Sequence, residues 1–386
     1  MSPRLKSLAS LIVDQSDRGT LPYVALEHLA GGTGALELGI ELPSRVGGEP
    51  GSSAVEPGDV LFGKLRPYLS KTLLITEPAY ASTELMALRP YSNVDSRYLA
   101  YLVGSRAVIE WATASSDGTK MPRTNWEKLG EFRVAGLPPT EMQRTIADYL
   151  DTETARIDAL ITKKKRMIEV LDERVDAMVM SWVGRSELAG GSDVEAVPLR
   201  RALKKLERWA VDSGEMITAF RNGEVMTRAA RGRDGFTDVW TDDARFQVVE
   251  MGDVVVHGLD GFSGAIGDSQ SDGVCSPIYH VCRPTDGGDP AFYGRMLRLL
   301  ATAGYLGGFA TSTRERAVDF RNWDLFGRIP IPRVPVDEQV RIGDLVRLAR
   351  PLKVKVRASE VLAMERRQAL ITAAVTGELE IPGVAA

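Results

Sequence analysis

The two halves of this 386-residue sequence resemble each other at an almost constant offset of 194 residues. The clearest match aligns VEPGDVLFGK, which begins at Val55, with VEMGDVVVHG, which begins at Val249. Further matches follow in the same order: 5 with 199, 23–26 with 217–220, 88–90 with 282–284, 98–99 with 292–293, 125–126 with 322–323, 139–143 with 335–339, and 173, 174 and 177 with 365, 366 and 369. Because the repeat is far longer than a solenoid unit, it predicts a duplicated domain with a helix in each copy.

A long amphipathic helix is predicted at the end of the first copy, from about Glu141 to Trp182. Its seam positions recur at alternating gaps of three and four: Thr154, Ile157, Ile161, Lys164, Ile168, Leu171, Val175, Met178 and Trp182. This heptad pattern indicates a helix packed lengthwise against a helical partner. An ordinary long core helix is the alternative, but such helices rarely keep a strict 3.5-residue repeat. At 1.5 Å per residue the helix would span roughly 60 Å.

The second copy ends in a similar but less regular helix, predicted from Glu338 to Val375. Pro351 lies inside it and should break or kink the helix near Arg350. The simplest arrangement pairs the two helices as an antiparallel coiled coil. In that pair the seam residue Lys164 becomes a candidate register position, and we expect Lys164→Leu to stabilise the chain.

Each copy begins with a globular part that mixes short strands and helices. Runs such as VLFGKLRP, KTLLITE, DVVVHG and VCSPIYHVC predict strands. A helix follows in each copy, at residues 96–114 and 290–305, and then a polar loop and a last strand, EFRVAGLP or GRIPIPRVP. The predicted fold class is α+β: two tandem α/β domains separated by the two helices, with an internal pseudo-twofold repeat. The expected boundaries are 1–137, 138–186, 187–334 and 335–380.

Composition limits the classes of function. The net charge of −4 and the pI near 5.7 argue against a general polyanion binder. Positive charge is concentrated at residues 199–233, where nine basic and four acidic residues give a net charge of +5. No apolar run is long enough for a transmembrane helix, and the first residues do not resemble a signal peptide. Cys275 and Cys282 read as buried thiols, so we expect a cytoplasmic protein.

The sequence contains no motif that predicts catalysis or a cofactor. The histidines, His28, His257 and His280, stand in no metal-ligand or nucleophile pattern. GGTG, at residues 31–34, reads as a turn because no strand–loop–helix context surrounds it. Asp59 and Asp253 could serve as acid or base groups, but an Asp that bonds its own turn is the commoner arrangement. We therefore expect no metal, no cofactor and no catalysis.

Cationic and aromatic residues in loops are the candidate binding site. Matched framework positions carry different polar residues in the two copies: Lys64, Arg66, Tyr68 and Lys71 correspond to a segment that carries His257, Asp260 and Ser263. The predicted DNA-binding residues are Lys64, Arg66, Tyr68, Lys71, Lys120, Arg123, Arg221, Arg228, Arg231, Arg233, His257, Arg314 and Arg316, with Arg321 beside the last two. Such residues contact phosphates, and Arg also binds guanine. Ordinary surface charge is the alternative for each of them.

The helices also resemble a known family. PPTEMQ, from Pro138, and PVDEQ, from Pro335, begin them, and ERRQALITAAVTGELE, from Glu365, ends the second. These segments resemble the conserved regions of DNA specificity subunits of type I restriction–modification systems, except that Met142 stands where the second copy has Glu338. The resemblance implies two target recognition domains, each reading half of a bipartite site in double-stranded DNA across a nonspecific gap.

It also implies partners that do the chemistry. Two modification subunits would dock on the helices and supply S-adenosylmethionine and adenine methylation, and ATP-driven restriction subunits are a further partner. The competing hypotheses are a coiled-coil interaction scaffold and a similar subunit of a phage-defence complex without restriction. A nuclease is a weaker alternative because the sequence lacks an acidic metal-binding cluster.

Overall fold

The computed structural model describes residues 2–46, 50–210, 214–231, 246–285, 287–309 and 320–382. The chain forms two compact units. Unit 1 comprises Met1–Lys163 and Arg357–Ala386, and unit 2 comprises Lys164–Val356. Each unit therefore contains one globular domain, part of its own long helix and part of the long helix from the other copy of the repeat.

Unit 1 is built on two four-stranded sheets. Its strands are β1 (Ala9–Ile12), β2 (Thr20–Val24), β3 (Ser44–Val46), β4 (Ser53–Val55), β5 (Val60–Gly63), β6 (Thr72–Leu74), β7 (Ala79–Ala81) and β8 (Leu85–Pro90), and its helices are α1 (Ser96–Gly104), α2 (Arg106–Ala114) and α3 (Trp126–Leu129). One sheet has the order β1-β8-β5-β6 and the other β3-β2-β7-β4. The first sheet packs on α1 and α2 through a core that includes Phe62, Leu88 and Tyr98. The long helix α4 (Thr140–Arg185) follows.

Unit 2 repeats the first of these sheets strand for strand. Its elements are β9 (Ala196–Pro198), α5 (Leu199–Ala202), β10 (Leu203–Lys205), β11 (Ile217–Ala219), β12 (Val225–Thr227), β13 (Gln247–Val249), β14 (Val254–His257), β15 (Ile266–Asp268), β16 (Gly273–Cys275), β17 (Tyr279–Pro284), α6 (Pro290–Thr302), α7 (Trp323–Phe326) and β18 (Pro330–Pro332). The order β10-β17-β14-β15 matches unit 1, and each strand starts 194 residues after its counterpart. The register matches too, since Val60 faces Leu88 and Val254 faces Cys282. The predicted duplication is confirmed.

The two long helices, α4 and α8 (Val336–Thr376), pack as predicted. Every seam residue of α4 between Thr154 and Trp182 is buried or half-buried. In unit 1, Leu150 near the start of α4 shares a core with Ile371 near the end of α8. In unit 2, Val179 near the end of α4 shares a core with Ile342 near the start of α8. The pairing is therefore antiparallel, as the heptad pattern required.

Of the break or kink expected from Pro351 near Arg350, the structure rules out the break. The helix is continuous from Val336 to Thr376. A proline removes one backbone donor, here the bond to the carbonyl of Arg347, and packing can offset that loss. Side chains just before the proline fix the helix to unit 2: Arg347 pairs with Asp289 at 2.6 Å, and Arg350 pairs with Asp268.

Two smaller expectations for unit 1 were wrong. The helix predicted at 96–114 is two helices, because Ser105 between them is extended (ψ 152°) and its hydroxyl donates to the carbonyl of Leu102 at 2.7 Å. The strand predicted in EFRVAGLP is reduced to a single bridge between Arg133 and Arg4. Only that residue pairs because the chain enters a 3₁₀ turn at Leu5.

A buried glutamine joins each domain to its long helix. In unit 1, the backbone N–H of Asp95 donates to Gln143 at 2.8 Å, and Asp95 caps α1 by accepting from Arg97 and Tyr98. In unit 2, the N–H of Asp289 donates to Gln339 at 3.1 Å, and Asp289 caps α6. The glutamines of PPTEMQ and PVDEQ therefore fix the helix that packs on the sheet in each unit.

The Gly-Asp turns at Asp59 and Asp253 are structural, as predicted. Asp59 accepts from the N–H of Glu56 at 2.8 Å, and Asp253 accepts from the N–H of Glu250 at 2.8 Å. Each buried carboxylate also binds the arginine of the next matched motif. Arg89 donates to Asp59 at 2.6 and 2.7 Å, and Arg283 donates to Asp253 at 2.7 Å. These pairs offset the cost of burying the two carboxylates.

Candidate nucleic-acid interface

The predicted cationic cluster of unit 1 lies on one corner of the domain, residues 63–71, which follows β5. We call this segment corner 1. The polar loop at residues 116–124 is bonded to it: the N–H of Arg66 donates to Pro122 at 2.7 Å, and the N–H of Thr124 donates to Lys64 at 2.9 Å. Leu65 also forms a β-bridge with Arg123. The structure therefore brings together two sets of predicted residues that are far apart in the sequence.

Three of these cations have partners within unit 1. The ammonium of Lys64 donates to the carbonyl of Thr83 at 2.6 Å, and that of Lys71 donates to Leu26 at 2.9 Å. Arg123 pairs with Glu84 at 2.9 Å. Burial lowers the pKa of Lys64, and the nearby Arg123 lowers it further against the opposing effect of Glu84. These three side chains brace the corner.

Three other predicted residues are exposed. Tyr68 is 51% exposed, and Arg66 and Lys120 are also exposed. With the residues that the structure describes, their side chains form no hydrogen bond or ion pair. Leu69 and Met121, 41% and 53% exposed, were missed from the sequence because apolar residues there predict a core. The surface of corner 1 is thus apolar and aromatic with adjacent positive charge.

The corresponding segment of unit 2, residues 257–265, has the same turn but different chemistry. We call it corner 2. Its 3₁₀ turn, Gly261–Ser263, lies 194 residues after Pro67–Leu69 of corner 1. His257 Nδ1 accepts from the N–H of Leu259 at 3.1 Å and of Asp260 at 3.0 Å, which requires an unprotonated Nδ1. Burial is the main effect that lowers the pKa of His257.

The basic residues near corner 2 are also paired. Arg221 binds Asp260 at 3.2 Å, and Arg228 donates to Thr218 at 3.1 Å. The end of the second polar loop contacts the corner, because the N–H of Phe320 donates to Gly258 at 2.7 Å. Of the remaining predicted residues, Arg233, Arg314 and Arg316 and the side chain of Arg231 lie outside the described part of the chain.

The basic segment 199–233 does not form one uniform patch. Arg208 binds the buried carboxylate of Asp253 and also Glu250, the latter at 2.8 Å. Its charge is therefore neutralised inside the domain, which the net charge of +5 did not reveal.

The GGTG segment is a turn, as predicted, with Gly32 and Gly34 at positive φ. Buried Arg367 of α8 donates to the carbonyl of Gly32 at 2.7 Å and to that of Thr33. A cavity of about 180 Å³ lies beside this turn, between α1 and the helix pair of unit 1. These hydrogen bonds fix the turn to α8 within unit 1.

Both cysteines are buried free thiols, as predicted. Among the described residues, no group of three or more His, Cys, Asp or Glu side chains could hold a metal ion. None of the helices described in this structure is both long and apolar enough to cross a membrane.

Parts of this chain are similar to proteins of known family. The family model for the type I restriction modification DNA specificity domain matches residues 51–170. The specificity subunit of the type I restriction enzyme EcoDI from Escherichia coli is 25% identical over 103 residues, which is 27% of this chain and 22% of that subunit. The chain thus aligns with about a fifth of the curated relative's length.

Two solved structures share the fold over most of the chain. A chain from a structure on complex assembly and conformational transition of a type I restriction–modification system has a TM-score of 0.62 at 17% identity, and 97% of each chain is covered. The S subunit of a type I system from M. genitalium has a TM-score of 0.50 at 13% identity, covering 97% of this chain and 95% of that one. The chain therefore shares the fold of these two structures over most of its length, and its residues 51–170 are similar to the type I restriction modification DNA specificity domain.

Proposed function

We propose that this chain is a non-catalytic subunit that gives a methyltransferase complex its DNA sequence specificity. Each domain reads one half of a bipartite site in double-stranded DNA, and the helices α4 and α8 set the distance between the halves. The observation that carries this proposal is that the sheets β1-β8-β5-β6 and β10-β17-β14-β15 share strand order and register, whereas the side chains at the matching corners differ. Equal frameworks with different surfaces are suited to two different half-sites.

The proposed partners follow from the family and from the helices. Two modification subunits dock on the helix pair and supply S-adenosylmethionine and the methylation of adenine. Restriction subunits with ATP-driven translocation join a complete system. The proposed domains are 1–137 and 187–334 for recognition and 138–186 and 335–380 for spacing, and the protein works in the cytoplasm with its target DNA.

The proposed binding surface consists of the thirteen predicted residues. Its positive charges attract the phosphates of the DNA backbone. Arg66 and Lys120 supply charge at corner 1, and Arg221 and Arg228 do so near corner 2. Arg231, Arg233, Arg314 and Arg316 extend the same proposal to the segments outside the described residues. Lys64, Lys71, Arg123 and His257 contribute by holding the corners in place.

Methylome sequencing tests the function directly. The host with the gene should carry adenine methylation at one bipartite motif, and deletion of the gene should remove that methylation. The purified chain alone should not methylate DNA, and it should direct methylation when it is combined with the modification subunit encoded beside it. A methylome that deletion leaves unchanged would contradict the proposal.

Salt dependence separates this function from that of a protein-binding scaffold. Each phosphate contact makes the logarithm of the DNA association constant fall by about 0.9 per unit of log salt concentration. The chain with its modification subunit should therefore lose DNA affinity steeply as salt rises. Tight binding to a protein partner without DNA binding would favour the scaffold.

A further inference from the structure

Corner 1 differs from the rest of the described chain in its backbone. Arg66 and Ser70 have φ values of 50° and 49°, and no other non-glycine residue among those described has a positive φ. They flank the 3₁₀ turn Pro67–Leu69 on both sides. Pro67 is buried and anchors the turn, whereas the next two side chains point outward. Such strained conformations persist only where the surroundings hold them.

The surroundings of corner 1 do hold it. The N–H of Arg66 donates to Pro122 at 2.7 Å, and the carbonyl of Leu26 receives the ammonium of Lys71 at 2.9 Å. Lys64 and Arg123 are likewise bonded to the adjacent segment, at Thr83 and Glu84. The paired cations thus fix the turn, and the side chains at its tip are left for another molecule.

The tip combines exposed apolar side chains with positively charged ones. Tyr68 and Leu69 present apolar surface to solvent, and Met121 adds to it from the bonded loop. Arg66 and Lys120 carry positive charge beside them. Apolar side chains that enter DNA between base steps are commonly flanked by cations that bind the phosphates on either side.

We propose that Tyr68 and Leu69 form a wedge that enters a base step of the half-site read by unit 1, with Arg66 and Lys120 bound to the flanking DNA. This inference rests on the proposed function and assigns a specific mode of reading to one unit. Unit 1 recognises its half-site partly through the ease with which that DNA kinks. Lys64, Lys71 and Arg123 are positioning residues that hold the wedge.

Corner 2 has one exposed apolar side chain, Leu259 (39% exposed), but it lacks the other features of the proposed wedge. Phe262, which corresponds to Tyr68, is half-buried and packs on the core of unit 2. Ser263 replaces Leu69, and Asp260 replaces Arg66 and is paired with Arg221. At this position corner 2 carries a carboxylate in an ion pair, and corner 1 carries the exposed guanidinium of Arg66. Kinking is therefore confined to one of the two half-sites.

The test uses the full-length chain assembled with its modification subunit. A pool of random-sequence duplexes is selected for binding, and one recovered duplex is labelled at both ends to measure bending by energy transfer. The parent complex should bend the duplex by about 20–90°. Tyr68→Ala with Leu69→Ala should abolish the bend and lower affinity about tenfold or more.

Matched variants separate binding from folding. Arg66→Asn keeps a residue that tolerates the left-handed backbone, and it should lower the salt slope by about 0.9 without lowering the melting temperature. Tyr91→Ala removes an exposed tyrosine (45% exposed) that follows β8 at the opposite end of the sheet. Arg133→Gln removes one exposed charge outside the corner. Both controls should bind and bend DNA like the parent.

The sequences recovered from the random pool give a further measurement. They would not change if Tyr68 and Leu69 had a purely structural role. The wedge variant should recover sites in which one half is relaxed and the other half is retained. If the parent complex binds DNA but leaves it straight, or if the wedge variant bends it equally, the wedge is wrong while the proposed function stands. If the parent complex binds no duplex, the proposed function itself fails.

Discussion

Gln143 and Gln339 offer a matched test of how each domain is fixed to its long helix. The side chain of Gln143 accepts from Asp95 at 2.8 Å and donates to Asn93 at 3.1 Å and to Pro138 at 2.8 Å. In Gln143→Ala the carbonyl of Asn93 keeps the hydroxyl of Thr140 at 3.0 Å. The N–H of Asp95 and the carbonyl of Pro138 each lose this partner.

The magnitude follows from those two groups. A buried polar group without a partner costs about 1–3 kcal/mol, so the two groups together should lower the free energy needed to open α1 locally by about 2–6 kcal/mol. The lower figure corresponds to about thirtyfold faster hydrogen exchange of the α1 amides. In unit 2, Gln339 accepts from Asp289 and donates to Val334 at 2.8 Å, so Gln339→Ala should affect α6 by a similar amount.

Hydrogen exchange followed by mass spectrometry resolves the two units. Gln143→Ala should accelerate exchange in Ser96–Gly104 and leave Pro290–Thr302 unchanged, and Gln339→Ala should do the reverse. Gln15→Ala, at an exposed loop position, is the control and should change neither helix. Equal exchange of α1 in Gln143→Ala and the parent would refute the assignment of Gln143 as the link between domain and helix.

Three further predictions concern buried and seam positions. Burial raises the pKa of Cys275 to about 12 and raises that of Cys282, so a thiol reagent should modify neither until unit 2 unfolds, and rapid labelling of the native protein would contradict this. Burial lowers the pKa of His280, whose Nε2 donates to Phe320 at 2.5 Å. His280 therefore binds a proton more readily in the unfolded chain than in the folded one, so unit 2 should lose stability as the pH falls below about 6.5. Hydrogen exchange measures this loss. His280→Gln should make the stability of unit 2 depend less on pH. Lys164→Leu should raise the melting temperature by placing an apolar residue at a half-buried seam position, and an unchanged or lower value would refute its place in the seam.

Short-range and periodic patterns explain why much of the fold could be predicted. The offset of 194 residues located every strand of the repeated sheet, because a duplicated core needs the same apolar positions at the same spacing. The heptad seam located α4 to within a few residues at each end, since it records which face is buried. The Gly-Asp turns at Asp59 and Asp253 were predicted because their bonds lie within the turn.

Expectations failed where distant residues outweigh local preference. Pro351 is a strong helix breaker, yet Arg347 and Arg350 hold the helix to Asp289 and Asp268. Ser105 divides a helix that its neighbours favour. Neither outcome could be predicted from a local pattern, because the deciding partners or backbone angles depend on how the domain packs.

The sequence by itself determined the duplicated sheet, the antiparallel helix pair and the burial of both cysteines. The tertiary structure decided which of the predicted cations face solvent. Lys64 and Arg66 are nearly adjacent and equally charged, but Lys64 is bonded to Thr83 whereas Arg66 is exposed beside Tyr68. The physical reason is that the partner of a charged side chain is a distant carbonyl or carboxylate, which only folding brings within hydrogen-bonding distance.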